Sequence, residues 1–182
     1  MNRRIQPVDA GHAQAALELV EKVFTASEGA EEGRMVRRVV EEIRAGGYHV
    51  PELELMTLDE QGSIIGYAMF SRFHLEGRYD RQLLLLSPVA VATALQRQHI
   101  SRDMIELGFE KAAAMGFEAV LVEGNPRNYR ARGFVTACEH GIVPGPNVHL
   151  PSPECLMVRE LKKGALAHIR GAVDYGMYPS LT

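Results

Sequence analysis

The stretch Leu83-Leu84-Leu85-Leu86-Ser87-Pro88-Val89-Ala90-Val91 decides how the chain folds. Apart from Ser87-Pro88 it is apolar throughout, the composition of a strand buried on both faces. Further along, Met104, Ile105, Gly108, Phe109, Ala112 and Met115 recur at helical spacing, which predicts a helix over 101–115. Residues 92–100 must turn the chain between them. A strand that feeds a loop into a helix N-terminus presents backbone N–H groups without intrahelical partners, under the positive end of the helix dipole. That arrangement suits an anionic group.

Toward the C-terminus, Gly116 is placed to stop the helix, and Ala119-Val120-Leu121-Val122 reads as a second buried strand. Strand, helix and strand in this order predict a parallel crossover pair. Glu123-Gly124-Asn125-Pro126 breaks that strand, and 127–132 reads as a short helix ended by Gly133. The last strands are expected at 134–137 and 155–161, separated by a Gly/Pro-rich loop, 141–153, with little regular structure. The tail, 162–182, carries Ile169, Val173, Tyr175, Met177 and Tyr178, too many apolar groups to lie free. It is expected to pack on the 1–161 domain or on another subunit, a homodimer being the simplest such assembly.

Toward the N-terminus, a short strand near 4–6 precedes Asp9, read as the N-cap of a helix with Ala13, Ala16, Leu17, Val20 and Phe24 on one face. Gly29 closes that helix. A second helix over 31–45 carries Met35, Val36, Val39, Val40 and Ile43 and stops at Gly46-Gly47. Two strands, 53–58 and 63–70, are expected to be antiparallel neighbours across Asp59-Glu60-Gln61-Gly62. Gly77-Arg78-Tyr79-Asp80 then turns the chain into the apolar strand.

Composition excludes several classes. A chain of 182 residues is most simply one domain, and that size buries roughly 70% of its unfolded surface without staples. The net charge of −3 gives no basic footprint for nucleic acid. Cys138 and Cys155 lack the ligand spacing of a metal site and read as free thiols of a reducing cytoplasm. Met1-Asn2-Arg3-Arg4 is followed by no apolar run, so no secretory signal is expected, and nothing reaches the roughly 18 apolar residues of a membrane span.

The element order, together with four blocks, resembles the GNAT superfamily of acyl-CoA-dependent N-acyltransferases, and within it the bacterial YhbS-like branch. The blocks are Ser87-Pro88-Val89-Ala90-Val91, residues 96–101, Gly124-Asn125-Pro126-Arg127-Asn128-Tyr129 through Gly133-Phe134, and residues 154–161. The resemblance implies an α/β (α+β) fold: a mixed, mostly antiparallel sheet, splayed at its middle strands and flanked by helices. It also implies acetyl-CoA as co-substrate and a small-molecule or peptide amine as acceptor. The pantetheine arm would pair with the backbone of Val89, Ala90 and Val91. The pyrophosphate would lie on the loop Gln96, Arg97, Gln98, His99, Ile100, Ser101 and Arg102.

That loop departs from the family pattern, since His99 and Ser101 stand where glycine or a small residue is expected. If the His99 ring turns outward, it adds a donor beside phosphate; if inward, it fills the pocket. The second outcome would make the chain a degenerate domain that senses ligands or binds proteins. Ser101 also reads as a plain N-cap, with Asp103 in the first turn. By family position Tyr129 protonates the departing thiolate; the plainer reading is a tyrosine packing the short helix. Asn128 bonds the pantetheine or caps its turn. Glu123 is the nearest base for the amine, with Glu31, Glu32, His74 and His149 as further acceptor-side residues; each also reads as an ordinary surface group. No metal site is expected.

Overall fold

The computed structural model describes residues 3–181. Seven strands form one sheet in the order β1-β2-β3-β4-β5-β8-β6. These are β1 (Arg4–Pro7), β2 (Glu54–Leu58), β3 (Ile64–Arg72), β4 (Leu83–Val91), β5 (Ala119–Glu123), β6 (Val135–Thr136) and β8 (Leu156–Glu160). All pairings are antiparallel except β4 with β5, the pair linked by helix α3 (Ile100–Ala114). The sheet is therefore the mixed, mostly antiparallel one expected. A two-stranded parallel sheet joins β7 (Ile142–Pro144) to β9 (Gly171–Val173).

The strand β4 has nine residues, yet only Leu83, Leu84 and Leu85 pair with β5. Beyond Leu85 the two strands part. On its other edge, Phe70 pairs with Leu86 and Ala68 with Val89, so β4 advances three residues while β3 advances two. That extra residue is a β-bulge at Ser87-Pro88, whose peptide is cis. Because strand side chains alternate, one inserted residue exchanges the faces. Leu83 and Leu85 pack with one core and Leu84 and Leu86 with the other, whereas past the bulge Ala90 joins the first and Val89 and Val91 the second.

The first core lies under α1 (Ala13–Glu28), α2 (Ala30–Ala45) and the C-terminal segment; the second lies under α3. At Gly33 an added Cβ would stand 2.1 Å from Thr25 Oγ1 and 2.7 Å from Glu21 O, so this glycine sets how closely α2 crosses α1. A buried ionic cluster locks the helices to the sheet. Glu54, 3% exposed, accepts from Arg44 Nε and from Tyr67 Oη, each at 2.8 Å, and lies 2.7 Å from His49 Nε2. Arg44 also donates to Ala13 O at 3.0 Å, which brings in α1.

Several details differ from the sequence reading. Asp9 caps the turn before α1, accepting from His12 N at 3.1 Å, and the helix starts later, at Ala13. The loop over 141–153 holds a strand after all, because β7 finds its partner in the distant tail. Within that tail Ile169 and Val173 are fully buried and Tyr178 is 2% exposed. Among the described residues, no helix is long and apolar enough to cross a membrane, and no group of three His, Cys, Asp or Glu is placed to hold a metal ion.

Candidate active site

The loop from β4 to α3 is the most constrained backbone at the site. Arg97 has φ 62° and His99 φ 65°, the left-handed region that costs a non-glycine residue about 1–2 kcal/mol. Only four non-glycine residues among those described have positive φ, and two fall here, the other two being Glu76 and Tyr79 in another loop. At His99 the backbone path is thus glycine-like although the side chain is not, whereas Ser101 lies within the helix. Two arginines brace it. Arg3 donates to Gln98 O and Gln98 Oε1, both at 2.8 Å. Arg132 donates to Ser101 Oγ at 3.2 Å and to Asn128 O.

The N-cap of α3 is His99, and Ser101 sits inside the first turn with its hydroxyl taken by Arg132. The plain N-cap reading of Ser101 is therefore corrected: the left-handed residue at His99 starts the helix earlier than the apolar pattern indicates. Among the described residues, the backbone N–H groups of Arg97, Gln98, His99, Ile100, Ser101 and Arg102 meet no acceptor. They are unpaired donors at the positive end of a 15-residue helix, and Arg97, His99, Ile100 and Ser101 among them line a cavity.

That loop is one wall of a cavity of about 640 Å³. Val89 and Val91 past the bulge, Ile105 of α3, and Asn128, Tyr129 and Arg132 complete most of the lining. His99 is exposed at this cavity and does not fill it. Gln96, Arg97, Ile100 and Ser101 line it as well. Three expected residues do not. Ala90 points to the opposite core, 1% exposed; Gln98 is engaged by Arg3; Arg102 pairs with Asp103 at 3.1 Å.

Tyr129 ends the short helix α4 (Pro126–Tyr129), which Asn125 caps through Arg127 N at 3.0 Å. Its ring packs edge-on to Phe134 at 5.5 Å and lies under the Arg132 guanidinium at 5.9 Å. An added Cβ on Gly124 would stand 2.6 Å from Tyr129 Cε2, so this glycine leaves room for the ring. Burial raises the phenol's pKa above its ordinary value, with the Arg132 charge opposing, so the group is a proton donor across the neutral range. Its hydroxyl has no partner among the described residues.

On the other face of the sheet lies a second cavity, of about 410 Å³. Leu85, Ser87 and Pro88 line it, so the two cavities change over between Pro88 and Val89, at the bulge where β4 leaves β5. Glu123 belongs to this second cavity, because it alternates with Ala119 and Leu121 onto that face. Tyr175 donates to its carboxylate at 2.8 Å, and burial first, then the Glu123 charge, pushes the Tyr175 pKa far up. Glu32 and His149 also line this cavity, whereas Glu31 is exposed outside it. His74 is elsewhere, stacked on Phe73 at 6.3 Å and accepting from Gly77 N at 3.1 Å.

Sequence reasoning missed Arg3 and Arg132 as loop braces and Tyr175 and Tyr178 as cavity walls. The apolar tail was the available signal for the tyrosines. Nothing local to Arg3 foretells a contact 95 residues away.

This geometry has known counterparts. Residues 14–139 match the acetyltransferase (GNAT) family, and the chain belongs to that family. Among curated relatives, the uncharacterized N-acetyltransferase YhbS of Escherichia coli K12 is 29% identical over 139 residues, spanning 76% of this chain and 79% of the relative. The solved structure of E. coli YhbS in complex with CoA superposes with a TM-score of 0.83 at 24% identity, covering 96% of this chain and 90% of that one. A Brucella melitensis GNAT acetyltransferase in complex with acetyl-CoA gives a TM-score of 0.62, also at 24% identity, over 73% and 82% of the two chains.

Proposed function

We propose that the protein transfers the acetyl group of acetyl-CoA to an amine by direct attack. The observation that carries this reading is the changeover of two cavities at Pro88 and Val89, one walled by free backbone donors and the other by carboxylates. The E. coli and Brucella relatives solved with CoA and acetyl-CoA support the same assignment. In this reading the unpaired backbone donors of Arg97, His99, Ile100 and Ser101 hold the pyrophosphate, with the Arg97 and Arg132 side chains adding positive charge. The pantetheine arm follows the backbone of Val89 and Val91, which β5 leaves unpaired.

The acceptor enters from the Glu123 side. One ammonium proton leaves through Glu123 to solvent, and the nitrogen lone pair attacks the thioester carbonyl carbon. The C–N bond forms as the carbonyl π pair moves to oxygen. Collapse restores the carbonyl and breaks the C–S bond; the thiolate takes the Tyr129 proton, and the second nitrogen proton returns through solvent to Tyr129. In sum, ammonium and thioester give amide, thiol and one released proton.

The test is thiol release from acetyl-CoA with and without a mixed set of primary amines. Release that requires an amine is expected. Release independent of amine, or none from protein shown to bind acetyl-CoA, would overturn the reading.

A further inference from the structure

Several carboxylates of the described residues, buried and exposed alike, are neutralised where they stand. Glu21 and Glu41 pair with Arg37, Glu54 with Arg44, and Glu118 with Lys162. The 410 Å³ cavity is different. Glu28, exposed at the end of α1, and Glu32, half-buried at the start of α2, have no side-chain ion pair or hydrogen bond among the described residues, and Glu123, exposed at the end of β5, receives only the neutral Tyr175 hydroxyl. No lysine or arginine lines the cavity. Burial first, then the charges of Glu28 and Glu31, holds the Glu32 carboxyl above its ordinary range, the mark of a carboxylate lacking a counter-charge.

The rest of the lining is mainly apolar or aromatic, with Phe24, Met35, Val36 and Val39 from the helices and Tyr175 and Tyr178 from the tail, while Ser87, Asn147 and His149 add polar groups. The tail wall is tied down. Ser180 donates through N and Oγ to the Glu42 carboxylate of α2 at 3.2 and 2.5 Å, and Tyr178 is 2% exposed. The volume lies near the lower end of the roughly 300–1,000 Å³ used for small molecules.

We infer that this cavity selects a small primary amine on an apolar, ring-bearing body without a carboxylate, an arylalkylamine in chemical class. The inference rests on the acetyltransferase reading above. The ammonium meets the uncompensated carboxylates at the reacting end, and the body lies against aromatic and aliphatic walls. A free amino acid brings a carboxylate that no lysine or arginine of this lining receives. A polyamine would bury a second charge against Val36 and Val39, and a peptide would have to displace the tied tail.

The experiment has two stages. Calorimetric titration with acetyl-CoA tests the acetyltransferase reading itself, and no binding there refutes that reading whatever the acceptor. Amine-dependent thiol release is then compared for 2-phenylethylamine, phenylalanine, spermidine and trialanine. We expect kcat/KM for 2-phenylethylamine to exceed that for phenylalanine at least about tenfold, the scale of like-charge rejection. Glu32→Gln, and independently Glu28→Gln, raise KM for 2-phenylethylamine about fivefold with kcat within about twofold, the pattern of lost ground-state binding. Equal or better turnover of phenylalanine, spermidine or trialanine overturns the inference, as does failure of 2-phenylethylamine to react with a protein that binds acetyl-CoA.

Discussion

The two cavities touch the same strand one residue apart and are built in opposite ways. The larger is walled mainly by residues between Val89 and Ile105, with Asn128, Tyr129 and Arg132 added across the gap and Val23 from α1. Its polar groups are donors. The smaller is assembled from α1, α2, the bulge of β4, the end of β5, the 147–149 loop and the tail, and its charged groups are mainly carboxylates. Successive strand residues alternate between faces, and the one-residue bulge shifts that alternation, so Ser87 and Pro88 both line the smaller cavity and Val89 begins the larger. The cavity proposed for the cofactor thus draws mostly on one stretch of chain, and the cavity proposed for the acceptor on six separated segments.

The largest effect that separates the two sides is expected at Tyr129. Tyr129→Phe removes the phenolic proton and keeps the ring on Phe134, so kcat should fall about 100-fold, within the range of general acid catalysis. Acetyl-CoA affinity should stay within about twofold. The sign of its pH dependence follows from its raised pKa. The proton is held to higher pH than in a free tyrosine, so kcat should show no loss of this donor below about pH 10. A tyrosine that only packs would leave kcat of the variant near normal.

Glu123→Gln comes next. Amine-dependent kcat/KM should drop about tenfold near neutral pH, as a base in the acceptor cavity requires, with the acetyl-CoA Kd unchanged. A weakened Kd would instead place Glu123 with the cofactor and erase the division between the cavities.

Arg3→Ala probes the brace on the other side. Removing two donors from Gln98 releases a loop with two left-handed non-glycine residues, and acetyl-CoA affinity should weaken about fivefold. The melting temperature without ligand should move by no more than about 2–4 °C. A large loss of stability with unchanged affinity would make Arg3 a fold residue and leave the loop self-supporting.

The smallest effect is expected at His99. Glycine relieves the left-handed backbone at this exposed position, so His99→Gly should stabilise the protein by about 1 kcal/mol in chemical denaturation. Acetyl-CoA affinity should stay within about threefold. A marked gain in affinity would mean that the ring obstructs the phosphate path.

Legibility in the sequence follows the same division. Leu83-Leu84-Leu85-Leu86, the helical spacing from Met104 to Ala112, and Ala119-Val120-Leu121-Val122 carry their burial in local composition, so the parallel pair and the loop between them were readable. The path of the loop was not, because His99 and Arg97 adopt a conformation that their residue types disfavour and that a contact from Arg3 stabilises. Likewise Ser87-Pro88 reads as an interruption, whereas the exchange of faces it causes depends on the register of β3. The smaller cavity was the least legible. Tyr175 reaches Glu123 across 52 residues, and β9 finds β7 across a loop whose glycines and prolines suggest no strand.

The measurement to make first is calorimetric titration of the full chain with acetyl-CoA, with CoA and ADP as comparison ligands and Arg3→Ala in parallel. Saturable micromolar binding of acetyl-CoA and CoA, weaker for ADP and weaker again in Arg3→Ala, is the expected result for a loop that works without its glycines. A folded protein that takes up no acetyl-CoA at millimolar concentration would refute it, leaving a GNAT fold whose larger cavity does not hold the acyl donor.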